Sequence, residues 1–142
     1  MRAKYFMRLK VINPAEEIDG TLVVDIDGTL CGVKTSNQSY ADLEPRQEML
    51  IKLSEYQQKG YRILLFTSRN MNTYDNNLGQ INKHTAPVLL EWLNKWEVPY
   101  DEILFGKPWP RKRGFYIDDR TIRPDEFLRL NEEEIQKLLG QE

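Results

Sequence analysis

Leu22-Val23-Val24-Asp25-Ile26-Asp27-Gly28-Thr29-Leu30 is the stretch that decides the fold. Its apolar start reads as a buried strand. Two carboxylates, Asp25 and Asp27, stand two residues apart at its end. Acids crowded against a core are costly unless they are paired, metal-bound or catalytic. Gly28 follows, and it lets the backbone turn sharply and approach a ligand.

The pattern repeats outward from this strand. Tyr61-Arg62-Ile63-Leu64-Leu65-Phe66 is a second strand and ends at Thr67. Glu102-Ile103-Leu104-Phe105 is a third, followed by Lys107, and Phe115-Tyr116-Ile117 a fourth, ending at Asp118 and Asp119. Between the first two lies a polar loop over 31–43, then a helix with Pro45 in its first turn and Gly60 as its stop. Met49, Leu50, Leu53 and Tyr56 make its apolar face. Asn70, Asn72, Asn76, Asn77 and Asn82 favour loop or turn over 69–83. Thr85 and Pro87 mark the next helix, with Leu89, Trp92, Leu93 and Trp96 inside and Pro99 as its stop. Asn131 and Glu134 resemble a capping box. Ile135, Leu138 and Leu139 give the last helix its apolar side.

Strands alternating with helices imply an α/β fold with a mainly parallel sheet. Ligands of such sheets bind beyond the carboxyl ends of the strands. Asp25, Asp27, Thr67, Ser68, Lys107, Asp118 and Asp119 all fall at such ends. Residues 1–19 read as an extension or an edge strand, and 20–142 as the domain proper.

Composition bounds the function. The chain has 142 residues, one domain's worth, and 40% apolar content can fill a core. A net charge of −2 gives no general reason to expect a nucleic-acid or membrane partner. The one cysteine, Cys31, excludes an intrachain disulfide framework and suits a reducing compartment. No apolar run approaches the ~20 residues that span a bilayer. The expectation is a cytoplasmic globular domain.

The strand-end residues suit a phosphate monoester, whose hydrolysis needs strong charge stabilisation. Asp25 can be the nucleophile that takes the phosphoryl group. Asp27 can protonate the leaving oxygen and later deprotonate water. Thr67 and Ser68 can donate to the phosphoryl oxygens, and Lys107 can add a positive charge. Asp118 can join Asp25 in holding Mg²⁺, which suits hard oxygen ligands.

Asp25-x-Asp27-Gly28-Thr29, Thr67, Lys107 before Pro108, and Asp118-Asp119 resemble, in order, the four motifs of the haloacid dehalogenase superfamily. The resemblance covers roughly residues 20–125. It implies a three-layer Rossmann-like domain, with Asp25 as nucleophile, Asp27 as acid/base, and Thr67 and Lys107 as phosphate binders. It also implies Mg²⁺ on Asp25, the Asp27 backbone carbonyl and Asp118, with Asp119 assisting. Dehalogenase members lack the second aspartate, so Asp27 points to phosphoryl chemistry.

A closer resemblance is to the small phosphatases encoded in bacterial capsule-polysaccharide loci. It rests on Thr67-Ser68-Arg69-Asn70-Met71-x-Thr73-Tyr74, Asn82-x-His84-Thr85, Lys107-Pro108-Trp109 and Phe115-Tyr116-Ile117-Asp118-Asp119-Arg120. It implies a small phosphorylated substrate: a sugar, sugar-acid or polyol phosphate. Ser68, Arg69, Asn70 and His84 are the candidate substrate-binding residues. The intervals between motifs leave little room for a cap domain, so the site should be open, with 70–83 as a partial lid. A homo-oligomer could then shield it, or the substrate could be large: lipid-linked, polymeric, a nucleic-acid end or a phosphoprotein. Excluding water favours the first for a small metabolite. A phosphotransferase or mutase would use the same nucleophile, and a non-catalytic binding domain is the remaining alternative.

Overall fold

The computed structural model describes residues 18–140. The chain divides after Pro108 into two compact units. The extension or edge strand expected over 1–19 lies outside the described residues but for Ile18 and Asp19.

The first unit is built on three parallel strands in the order β1-β2-β3: Thr21–Val24, Arg62–Thr67 and Glu102–Phe105. Val24 is level with Leu65, and Leu65 with Ile103. Strand side chains alternate between faces. Ile63, Leu65 and Thr67 therefore share one face, and all three are buried. On the other face Val23 and Leu104 are 60% and 51% exposed. The first-unit fold is thus the α/β parallel arrangement that the apolar runs imply.

Helix α1 (Gln47–Gln58) buries Met49, Leu50, Leu53 and Tyr56, as its periodicity requires. Its N-cap is Arg46, so Pro45 stands just before the helix rather than in its first turn. The Pro45 segment is instead bridged to Cys31. Gly60 follows the C-cap, donating its N–H to the Gln57 carbonyl at 3.0 Å.

The second connection departs from expectation. Helical structure starts at Leu78, about seven residues before the predicted boundary at Thr85. Asn77 caps it, its side chain accepting from the Gln80 N–H. A π-helical stretch, Ile81–Thr85, then leads into α2 (Ala86–Lys95). Composition misled here because Asn77 favours the cap position rather than a loop. Burial of Ile81 and Thr85 holds the widened turn. Within α2, Leu89, Trp92 and Leu93 are buried, and Trp92 Nε1–H donates to the Leu43 carbonyl at 2.6 Å. Trp96 is the C-cap and only partly buried, so it borders the core rather than filling it.

The second unit, taken alone, carries α3 (Pro124–Arg129) and α4 (Glu132–Leu138). The capping box of α4 is present, with Asn131 Oδ1 accepting from the Glu134 N–H at 2.8 Å. Ile135 is buried, while Leu138 is 53% exposed. The predicted fourth strand does not form. Phe115 and Ile117 are 76% and 90% exposed, and the segment has no ladder partner among the described residues. An apolar triplet without a neighbouring strand has nothing to satisfy its backbone groups as sheet.

Candidate active site

Because the three strands are parallel, their carboxyl ends share one rim. β1 delivers Asp25, β2 ends at Thr67, and β3 leads through Gly106 to Lys107. Lys107 Nζ lies 3.4 Å from Asp25 Oδ1, an ion pair across 82 residues of sequence. Its backbone N–H is held by the Thr67 carbonyl at 3.1 Å. The other Asp25 oxygen accepts from Thr29 Oγ1 at 3.2 Å. Both members of the pair keep part of their side chains in solvent, 21% for Lys107 and 32% for Asp25.

The local turn explains why these residues are presented. After β1 the chain folds back: the N–H groups of Thr29 and Leu30 donate to the Ile26 carbonyl at 3.0 and 2.8 Å, and Gly28 donates to the Cys31 carbonyl at 2.8 Å. Gly28 takes φ +87°, a conformation that suits a residue without a side chain. Ile26 and Leu30 are fully buried, so the turn is anchored from below while Asp25 and Asp27 stay at the surface of the core.

Gly106 has the same role before Lys107. Its φ is +85°, and an added Cβ would lie 2.7 Å from Leu78 Cδ2. Gly106→Ala should therefore cost about 1–3 kcal/mol of stability. Thermal unfolding checks this; an unchanged midpoint would show that the strand-to-lysine turn relaxes freely.

Asp27 is engaged differently from Asp25. Arg69 Nε–H donates to its Oδ2 at 3.1 Å and Nη2–H to its Oδ1 at 2.8 Å. The fork is a bidentate charge-assisted pair. Arg69 is buried, with its guanidinium 4.1 Å from the centre of the Tyr40 ring. Its backbone N–H donates to Thr67 Oγ1 at 3.0 Å, so the threonine hydroxyl organises the same turn. Cys31 Sγ is 3.9 Å from Asp27 Oδ1. Burial, then the Asp27 charge, pushes the Cys31 thiol up to about 11, so it stays protonated through the neutral range. Burial and Asp27 likewise raise the Tyr40 phenol above the usual tyrosine range. Neither Tyr40 nor the Cys31 contact was signalled by the sequence; a half-apolar residue in a polar loop was the available hint.

The remaining candidates are distributed around this group. Ser68 is partly buried beside Thr67. Asn70, at φ +62°, accepts from Thr85 Oγ1 at 2.7 Å and donates to Thr73 Oγ1 at 3.2 Å. Those bonds tie the end of β2 to the π-helical stretch. His84 is exposed and stacks on Tyr74, with ring centres 5.6 Å apart. Segment 70–77 is a series of turns, with Asp75 and Asn76 also at positive φ. In the second unit Asp118 and Asp119 are exposed, and Asp118 Oδ1 accepts from the Arg120 N–H at 2.8 Å.

The parallel sheet with an acid pair and two matched cations at its carboxyl rim defines an α/β domain with a polar rim site. Among solved structures, the chain is similar to an MCSG target from Vibrio cholerae. The two are 51% identical over 85% of this chain and 97% of that one, with a TM-score of 0.81. The chain belongs to the same family as that protein. A second likeness, to the Pnkp1/Rnl/Hen1 complex, is 22% identical over 78% of this chain and 33% of that one, with a TM-score of 0.44. No family model and no curated protein matches. Among the described residues, no helix is long and apolar enough to cross a membrane.

Proposed function

We propose that the chain is a Mg²⁺-dependent phosphoric monoester hydrolase of the haloacid dehalogenase type. Its substrate would be a sugar, sugar-acid or polyol phosphate of cytoplasmic surface-polysaccharide synthesis. The chemistry is supported above all by one observation: Asp25 and Lys107 stand 3.4 Å apart where three parallel strands end. A nucleophile and a cation at one point suit attack on an anionic phosphoryl group. The substrate class is supported by the sequence resemblance.

In this reading an Asp25 carboxylate oxygen attacks phosphorus, and the bond to the leaving oxygen breaks. The leaving oxygen takes a proton from Asp27. Water then attacks the aspartyl-phosphate and yields its proton to Asp27, and phosphate departs. Lys107 offsets charge on the phosphoryl oxygens. The hydroxyls of Thr67 and Ser68 would donate to those oxygens and orient them.

Support for a hard cation comes from the chemistry of Asp25, since among the described residues no three ligating side chains gather as a metal site. Asp25 uses one oxygen for Lys107 and one for Thr29, which leaves lone pairs unused on a part-exposed carboxylate. Within the first unit, Asp25 and the Asp27 carbonyl would hold Mg²⁺. The ion, when bound, offsets phosphoryl charge.

The test is phosphate release from a panel of sugar, sugar-acid, polyol and nucleotide phosphates, with Mg²⁺ and with chelator. Release that requires Mg²⁺ is expected, and the ranked panel identifies the leaving group. Silence across the panel with Mg²⁺ present would count against the reading.

A further inference from the structure

Arg69 is an expensive residue to keep where it is. The side chain is 2% exposed, and the third guanidinium nitrogen, Nη1, is buried with no hydrogen-bond partner among the described residues. A buried donor left unmade is destabilising, and a buried ion pair is weak evidence for stability. An apolar residue would fill this volume at lower cost. What the arginine does supply is geometry. Its fork grips both oxygens of Asp27 and fixes the plane of that carboxylate. Tyr40 closes over the guanidinium face, and Thr67 Oγ1 holds the Arg69 backbone. Asp27 keeps 24% of its side chain exposed against 2% for Arg69. The fork therefore grips the carboxylate from the buried side.

We infer that Arg69, clamped by Tyr40, is the positioning residue of Asp27, orienting it for proton transfer to and from the reacting oxygens. The inference rests on the acid/base reading of Asp27 given above. When Asp27 carries the proton, Arg69 bonds its carbonyl oxygen and leaves the O–H for the leaving group. As the bond from phosphorus to the leaving oxygen breaks, that proton passes to the leaving oxygen. The carboxylate then settles into both arms of the fork, ready to accept a proton from the attacking water. Arg69 touches neither substrate nor phosphoryl group in this scheme; it acts through Asp27.

A leaving group that needs no proton separates this role from phosphate binding or folding. The experiment compares kcat/KM for p-nitrophenyl phosphate with that for an alkyl phosphate, such as glycerol phosphate, in the full chain with Mg²⁺. Arg69→Gln should lower the alkyl value by about 100-fold and the nitrophenyl value by less than about threefold. Asp27→Asn should show the same contrast, and adding Arg69→Gln to it should change little more, since both act on one proton transfer.

Equal losses on both substrates, or full additivity in the double variant, would overturn the inference while leaving the hydrolase reading intact. Should Arg69→Gln fail to fold, Tyr40→Leu carries the test: it keeps the ion pair and removes the clamp. It should lower the alkyl value about tenfold with the nitrophenyl value nearly held; equal losses, or none, would overturn the inference. A wild-type chain that hydrolyses neither compound would remove the hydrolase reading and this inference with it.

Discussion

Asp25→Asn is expected to reduce phosphate release by on the order of 10⁴-fold or more, because a neutral amide cannot replace a carboxylate nucleophile. The substitution keeps the size and shape of the side chain. The amide oxygen can still accept from Lys107 Nζ, and the amide N–H can donate to Thr29 Oγ1 in place of the bond that Thr29 now donates to the second carboxylate oxygen. The pair with Lys107 is partly exposed, so its loss should change stability by less than about 1 kcal/mol. An inactive variant with a native unfolding transition is therefore the expected result. Acid-quenched wild-type enzyme should carry a phosphoryl group on Asp25, detectable by peptide mass spectrometry, and the variant should carry none. Wild-type turnover by Asp25→Asn would exclude the nucleophile role, and a phosphorylated peptide elsewhere in the chain would name its replacement.

The residues of this site differ in how far sequence alone reveals them. Asp25, Thr67 and Lys107 are legible because strand ends are legible. An apolar run followed by a polar residue locates each one, and parallel pairing brings the ends together. The partner of Asp27 is not legible in the same way. Arg69 lies 42 residues downstream, and nothing local says that its guanidinium turns inward to a carboxylate. Its position beside Thr67 invites a substrate-binding reading, whereas its burial ties it to Asp27. Tyr40 is a similar case, since a polar loop gives no sign of which of its residues closes over a buried cation.

The same distinction runs through the fold. Periodicity found the buried side of α1 because local pattern and tertiary burial agree there. It placed the start of the second helical segment too late because the asparagine content of 70–82 competes with the helix, and only the buried Ile81 and Thr85 settle the matter. Phe115-Tyr116-Ile117 shows the opposite failure. Its composition suits a strand, but a strand exists only where another backbone receives its hydrogen bonds.

Leu65→Ala should be the most destabilising single truncation in the sheet. Leu65 sits in the central strand, level with Val24 on one side and Ile103 on the other, and its side chain is fully buried. Truncation removes apolar contacts and leaves a cavity in a layer flanked by the neighbouring strands. Cores of this kind lose about 2–5 kcal/mol on Leu→Ala. For a chain of this size each kcal/mol lowers the unfolding midpoint by about 2–4 °C, so a fall on the order of 10 °C is expected. Val23→Ala on the more exposed face of β1 is the comparison, with a loss below about 1 kcal/mol. The contrast has a functional side as well, since β2 carries both Leu65 and the Thr67 that braces Arg69 and Lys107. A weakened β2 should loosen the rim before the whole unit unfolds. Hydrogen exchange at the Lys107 and Arg69 amides should therefore speed up in Leu65→Ala. If those amides keep wild-type protection while the midpoint falls, the rim is held by its own hydrogen bonds and not by the sheet beneath it.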